Sequence, residues 1–329
     1  YWRIPTLSSV ARLRDTPILH TGDNRMILKN NLEWRTVALI IFCYAMWLLL
    51  VFGLSRYSIV IACLALIPVI TLHSSLQHEC LHGHPFRWSF LNDALASVPI
   101  GLFIPYLRFK DSHLKHHQNA QICDPFDDPE SWYLEQAFWH RLPRLLKFLF
   151  DVNNTLAGRL LLGPGFVLVR TAITDGRAML QGDRMVLRAW AIHLSLLVPL
   201  VVIIAQWSPM ALVAYLLASY GGLSLLMVRT YLEHQAEENA RGRSVIIEDK
   251  SLLSLLFLNN NLHAVHHAYP AVAWHQLPSL YQRNRDRFLA MNKGYYYRNY
   301  AEILRQFAFR RKERVPFPES LVADQSPKT

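Results

Sequence analysis

The chain has 329 residues, of which 52% are hydrophobic and 18% charged, with a formal net charge of +10. That is too apolar for an ordinary soluble domain and too rich in large side chains for a disordered one, so a membrane protein is the first expectation. The basic excess is spread around apolar stretches and carries no recognition motif, which argues against nucleic acid and favours anionic lipid headgroups and an acidic soluble partner.

Residues 36–55, between Arg35 and Arg56, and residues 57–78, between Arg56 and Glu79, are free of charge. Each is long enough for the roughly 20 residues that a helix needs to cross a bilayer. The first follows a long basic segment and lacks the form of a cleaved secretory signal; because the sequence starts at Tyr1, residues ahead of it are left open. Residues 94–107 are an uncharged piece with Pro99, Gly101 and Pro105, suited to a re-entrant or interfacial segment. Residues 141–150 mix basic and bulky apolar side chains, as does 301–314 with Arg305, Arg310, Arg311, Lys312 and Arg314. Both predict helices lying in the headgroup layer. Residues 189–228 form a charge-free window of 40, which Gln206-Trp207-Ser208-Pro209 divides into spans at 189–206 and 209–228.

The predicted fold is therefore an all-α integral membrane protein in one domain, 1–329. Four transmembrane helices in two hairpins would carry a helical cap, 79–188 and 229–315, with a polar tail at 316–329. Of the 34 Lys and Arg residues, 33 fall on one side of such a bundle. Lys and Arg are retained on the cytoplasmic side, so both termini and the cap are expected there. Cys43 and Cys63 fall within spans, and Cys80 and Cys123 on the reducing side; no pair has zinc-ribbon or redox spacing, which predicts four free thiols.

Fifteen histidines are present, eight of them in three clusters: His78 and His82; His113, His116 and His117; His263, His266 and His267. The first is His-x-x-x-His and the others are both His-x-x-His-His. Residues three and four apart share a helix face, so each cluster can aim its rings at one point, and neutral imidazole is a good ligand for iron, copper or zinc. His234 lies about one and a half helical turns beyond the fourth span, below the same bundle. Nine imidazoles exceed the needs of one metal and suit two, each with four or five ligands and room for oxygen or water. Among the rest, His73 lies inside the second span, in a packing role or near substrate; His84 precedes Pro85, where the helix should end; His20, His140, His193 and His275 carry no ligand motif.

Together these residues resemble the membrane fatty acid desaturase and hydroxylase superfamily, whose three histidine boxes flank two transmembrane hairpins. The likeness covers most of residues 35–280. In His78-Glu79-Cys80-Leu81-His82-Gly83-His84-Pro85, in Asp124-Pro125-Phe126-Asp127-Asp128-Pro129-Glu130-Ser131, and in His266-His267-Ala268-Tyr269-Pro270 with Trp274-His275-Gln276-Leu277-Pro278, it is closest to bacterial acyl-lipid desaturases. His275 stands where that motif would have an aromatic residue. Glu233-His234 resembles the extra Glu-His of membrane alkane hydroxylases, which implies a ninth ligand at His234.

What the resemblance implies is a nonheme enzyme with two Fe ions that uses O2 to attack an unactivated C–H bond in a bacterial inner membrane. Loss of a second hydrogen would give an alkene and recapture of oxygen an alcohol, so a fatty acyl desaturase and a hydroxylase of a lipid, alkane or carotenoid both stay open. Carboxylates behind the rings would tune them; Glu79, Asp111, Glu233 and Asp124 are nearest in sequence. A lipid or thioester acyl chain is the expected substrate. No cysteine set for an iron–sulfur cluster occurs, so a separate ferredoxin, rubredoxin or cytochrome is expected to supply electrons.

Two other readings compete. His78-Glu79-Cys80-Leu81-His82 has the His-Glu-x-x-His form of zinc metalloproteases, with Glu79 as general base, but that form leaves both His-x-x-His-His clusters unexplained. A membrane carrier or sensor of metal ions would favour ionisable residues within its spans, and the windows hold none apart from histidines.

Overall fold

The structure, a computed structural model, describes residues 32–119 and 121–323. His20, the basic residues up to Lys29 and the tail beyond residue 323 lie outside them. Helix α1, Trp34–Leu48, continues through a π-helical turn and a 3-10 turn to give one apolar run, Trp34–Arg56. Helix α2, Ile59–Leu81, starts at Ser58, whose hydroxyl accepts the Ile61 N–H at 3.2 Å and so satisfies one of the orphan donors of the first turn. It runs three residues past the expected end of the second span, which places His78 inside its last turn.

After α2 come α3, Ser89–Ala96, and α4, Tyr106–Gln118, then α5, Gln136–Arg141, and α6, Arg144–Asn153. Three long helices follow: α7, Leu156–Leu180, α8, Arg184–Trp207, and α9, Leu212–Thr230. Among the described residues, five helical runs are thus long and apolar enough to cross a membrane, where charge-free windows marked four. The added one, α7, lies in the stretch assigned to the cap. Its charges hid it, because Arg159, Arg170, Asp175 and Arg177 interrupt the apolar run. Two of them are accommodated in place: Asp175 is buried, pairs with Arg108 at 2.9 Å and accepts the Trp190 indole N–H at 2.8 Å, while Arg159 lies 3.6 Å over the Trp132 ring.

Helix α2 is the centre of the bundle and packs on α1 and α9. Gly221 and Gly222 let α9 approach; a Cβ on Gly222 would stand 2.5 Å from Ile70 Cγ2. The Thr71 hydroxyl uses that closeness to donate to the Gly222 carbonyl at 3.0 Å. Between α3 and α4 the chain has no helical bonds, yet it is inserted among the long helices. The Ile100 carbonyl accepts Tyr215 Oη at 2.8 Å, and the Leu102 carbonyl accepts His193 Nε2 at 2.8 Å. Irregular backbone inside an apolar bundle survives only where side chains satisfy it, which is what the two bonds do. His193 is thereby structural, and His73 is bonded to Tyr44 Oη at 3.1 Å.

Past α9 the chain builds a small helical cap: β1, Ile246–Ile247; α10, Leu252–Leu256; α11, His263–Ala268; α12, Leu277–Arg283; α13, Arg285–Met291; β2, Tyr296–Tyr297; α14, Tyr300–Phe307; α15, Glu319–Ala323. The two strands pair in parallel, Ile246 with Tyr296 and Ile247 with Tyr297. The basic residues 310–314 are not helical, contrary to the expectation for 301–314; they bend, and the residues that follow, Val315 to Phe317, pair with Leu134. All four cysteines are free thiols.

Candidate metal centre

Four pieces of chain deliver the clustered histidines. His78 lies in the final turn of α2 and His82 caps it; His113, His116 and His117 lie on α4; His263, His266 and His267 lie on α11; His234 follows α9 in a short connection. The structure brings all nine together in two adjoining groups, within each of which one ring nitrogen per residue lies within 4.8 Å of all the others. His78, His82, His113, His117 and His266 make the first group, and His116, His234, His263 and His267 the second.

Helical geometry explains the division. At 100° per residue, positions i and i+4 are about 40° apart and position i+3 lies about 60° to the other side. Each His-x-x-His-His box therefore sends its outer pair to one centre and its middle ring to the other. In α4 the pair 113/117 joins the first group and His116 the second; in α11 the pair 263/267 joins the second and His266 the first. His117 and His267, stacked 4.2 Å apart, form the wall between the groups.

The nitrogens that converge are Nε2. In the second group His116 and His234 face each other at 3.0 Å, His263 and His234 at 3.0 Å, and His267 and His263 at 3.1 Å. In the first, His117 and His113 stand at 3.0 Å and His266 and His117 at 3.1 Å. Outward-facing Nδ1 atoms are held from behind: His113 by Glu130 at 3.0 Å, His116 by Asp128 at 2.8 Å, His263 by Asn260 at 3.1 Å with Glu233 at 3.7 Å, and His234 by Ser244 at 3.3 Å. Acceptors at Nδ1 fix the proton there and leave the Nε2 lone pairs pointing inward.

Burial keeps these rings unprotonated, pushing His82, His117, His234, His263, His266 and His267 below the usual histidine range. At His116 burial works in the same sense but the bond to Asp128 outweighs it, raising the ring to about 9. Burial also lifts Glu130, and the facing His113 overcomes it, holding the carboxylate below its usual range. The Nε2 atoms of His78 and His82 are buried and meet no partner. A buried acceptor left unmatched costs about 1–3 kcal/mol, and lone pairs converging at 3 Å repel unless a cation or proton lies between them. The convergent Nε2 atoms thus fit two transition-metal ions, five donors for one and four for the other.

Of the four carboxylates nearest in sequence, only Glu233 approaches a ring. Glu79 accepts the Trp274 N–H at 3.1 Å, Asp111 pairs with Arg108 and Lys115, and Asp124 caps Phe126 and Asp127 in its own loop. The carboxylates that do hold rings, Asp128 and Glu130, were present in the Asp-Asp-Pro-Glu stretch quoted above. Asp128 is itself tied down by the N–H groups of Cys123 and Glu130. Glu79, turned to Trp274, does not stand as the base of a one-metal protease, and His78 and His82 sit among five imidazoles. His84 bonds Glu33 at 2.6 Å and joins neither group, and His275 stands beside Trp274.

No curated protein matches the chain in sequence. The sequence profile described as fatty acid desaturase matches residues 55–299, from the turn after α1 to the end of β2, and takes in all nine converging histidines. With three quarters of its length inside that match, the chain belongs to the fatty acid desaturase family.

Proposed function

We propose that this protein is a membrane oxygenase that introduces a double bond into a fatty acyl chain, carried in a lipid or thioester, with O2 and electrons from a separate protein. The reading is carried by one observation: nine Nε2 atoms converge in two adjoining groups at the end of an apolar bundle in a fatty acid desaturase family chain. His78, His82, His113, His117 and His266 would hold one iron, and His116, His234, His263 and His267 the other. When bound there, the pair of irons supplies the activation of O2 and the oxidising power that an unactivated C–H bond demands.

The chain's own residues do the rest. Asp128 and Glu130 keep the His116 and His113 rings turned inward and make them stronger donors. The four-histidine group offers fewer protein donors and so more room for oxygen or water. Exposed Arg310, Arg311 and Arg314 lie in the segment whose Lys312 touches the His234 carbonyl, a cationic face suited to an acidic electron donor. With α1, α2, α8 and α9 as the spans and α7 not crossing, the metal site faces the cytoplasm of a bacterial inner membrane, the side that Lys and Arg favour.

Metal content of protein purified in mild detergent without added metal, by elemental mass spectrometry, tests the site. About two irons per chain is the expected result for this donor set; about one zinc without iron overturns it. Mass spectrometry of lipids after turnover then separates the reactions: loss of two hydrogens marks the desaturase, gain of one oxygen the hydroxylase.

A further inference from the structure

His234 differs from the other eight histidines in lacking a helix to aim it, because α9 ends at Thr230. Its main chain is instead held residue by residue. Val245 N–H donates to the Glu233 carbonyl at 3.1 Å, and Gln235 N–H donates to the Arg243 carbonyl at 3.0 Å. Ala236 N–H donates to Tyr133 Oη at 2.7 Å, and Arg243 Nε donates to the Glu237 carbonyl at 2.6 Å. The carbonyl of His234 itself accepts from the Lys312 ammonium.

Lys312 begins a segment that closes over this connection and over the strand of chain leaving Asp128 and Glu130. Its N–H donates to the Asn154 carbonyl at 2.9 Å, and its ammonium pairs with Glu313 at 2.8 Å. The Glu313 carboxylate accepts a hydrogen bond from the hydroxyl of Tyr133, the residue that fixes Ala236, and its carbonyl accepts Asn154 Nδ2 at 2.6 Å. Leu134 N–H donates to Val315 at 3.1 Å and Phe317 N–H to Leu134 at 2.8 Å, while the Phe317 ring packs edge-on against Tyr133. Residues 312–317 lie beyond the 55–299 match to the family.

We infer that residues 312–317 are a strap that positions His234, with Lys312 as its positioning residue, and that the strap tightens metal binding at the four-histidine group while leaving the five-histidine group alone. The contact stands on geometry; its effect on metal rests on the proposed site. An ammonium on a carbonyl is a charge-assisted bond, and losing a partner of this kind behind a ligand weakens metal binding by about 10–100-fold.

Two measurements on the full chain test this. In metal-stripped protein, hydrogen exchange of the amides at 233–237 should quicken in Lys312→Met and return to the wild-type rate in Lys312→Arg, while Arg311→Ala, which loses only an exposed pair with Asp151, leaves it unchanged. In iron-loaded protein, a chelator should strip one ion of Lys312→Met about 10–100-fold more readily than in wild type, with the other unaffected. Unchanged exchange in Lys312→Met overturns the strap. Equal loosening of both ions also overturns it, because the segment would then act on overall stability. If wild type holds fewer than two ions but exchange responds as described, the proposed site falls and the strap's hold on His234 stands.

Discussion

The two histidine groups are built by different means. In the five-histidine group every ring sits on a helical turn or caps one, so backbone hydrogen bonds within α2, α4 and α11 set the spacing before tertiary contacts act. The four-histidine group borrows three rings from α4 and α11 and takes its fourth, His234, from a connection pinned by Tyr133, Arg243 and Lys312. Both groups join rings from distant helices, but only the four-histidine group has a ring, His234, whose own aim depends on contacts made across the chain.

The largest expected effect comes from removing a ring that both serves the first group and walls off the second. His117→Ala should lower activity below about 1% of wild type and release iron, since a ligand is worth more than the 10–100-fold of a supporting partner. A fully active variant would remove the histidine boxes from the mechanism. A sharper contrast lies behind the rings. Asp128→Asn, which weakens the hold on His116, should loosen the ion of the four-histidine group by about 10–100-fold, and Glu130→Gln should do the same to the five-histidine group through His113. Chelator competition resolves the two; if both variants loosen the same ion, the division into five and four is wrong.

Glu79→Gln should be milder. Its side chain holds the Trp274 N–H and touches no ring, and glutamine keeps an acceptor there, so iron content should stay within about twofold of wild type, the cost of one altered hydrogen bond. Complete loss of metal would make Glu79 a ligand.

The smallest effect belongs to the cap. Glu248 bonds Arg285, Tyr281 and Tyr296, and Arg285 above all draws its carboxyl down to about 2. A lowered carboxylate contributes stability above its unfolded value and loses it as pH falls through the folded one. Glu248→Gln should thus reduce thermal stability by about 1 kcal/mol or less near neutral pH, with the gap closing from pH 4.5 toward 2. A gap that does not depend on pH would assign the effect to packing.

The histidine boxes were legible because their logic is local: two His-x-x-His-His runs and one His-x-x-x-His place rings on one helix face whatever surrounds them. Two features escaped for opposite reasons. Helix α7 was hidden by four charges that look costly in an apolar run, yet Asp175 finds Arg108 from a helix 67 residues away in sequence. Asp128 and Glu130 were read as part of a motif, but nothing in their spacing says which ring they face, because the loop at 121–131 turns them back onto α4.

By itself the sequence determined four of the five long apolar helices among the described residues, the histidine clusters and the face each presents, because these follow from composition over a window and from 3.6 residues per turn. Tertiary structure alone decided which ring joins which group, which carboxylates stand behind them, and how His234 is held. Those choices depend on long-range hydrogen bonds, such as that between Leu134 and Val315, whose partners carry no periodic signal and meet only once the bundle has formed.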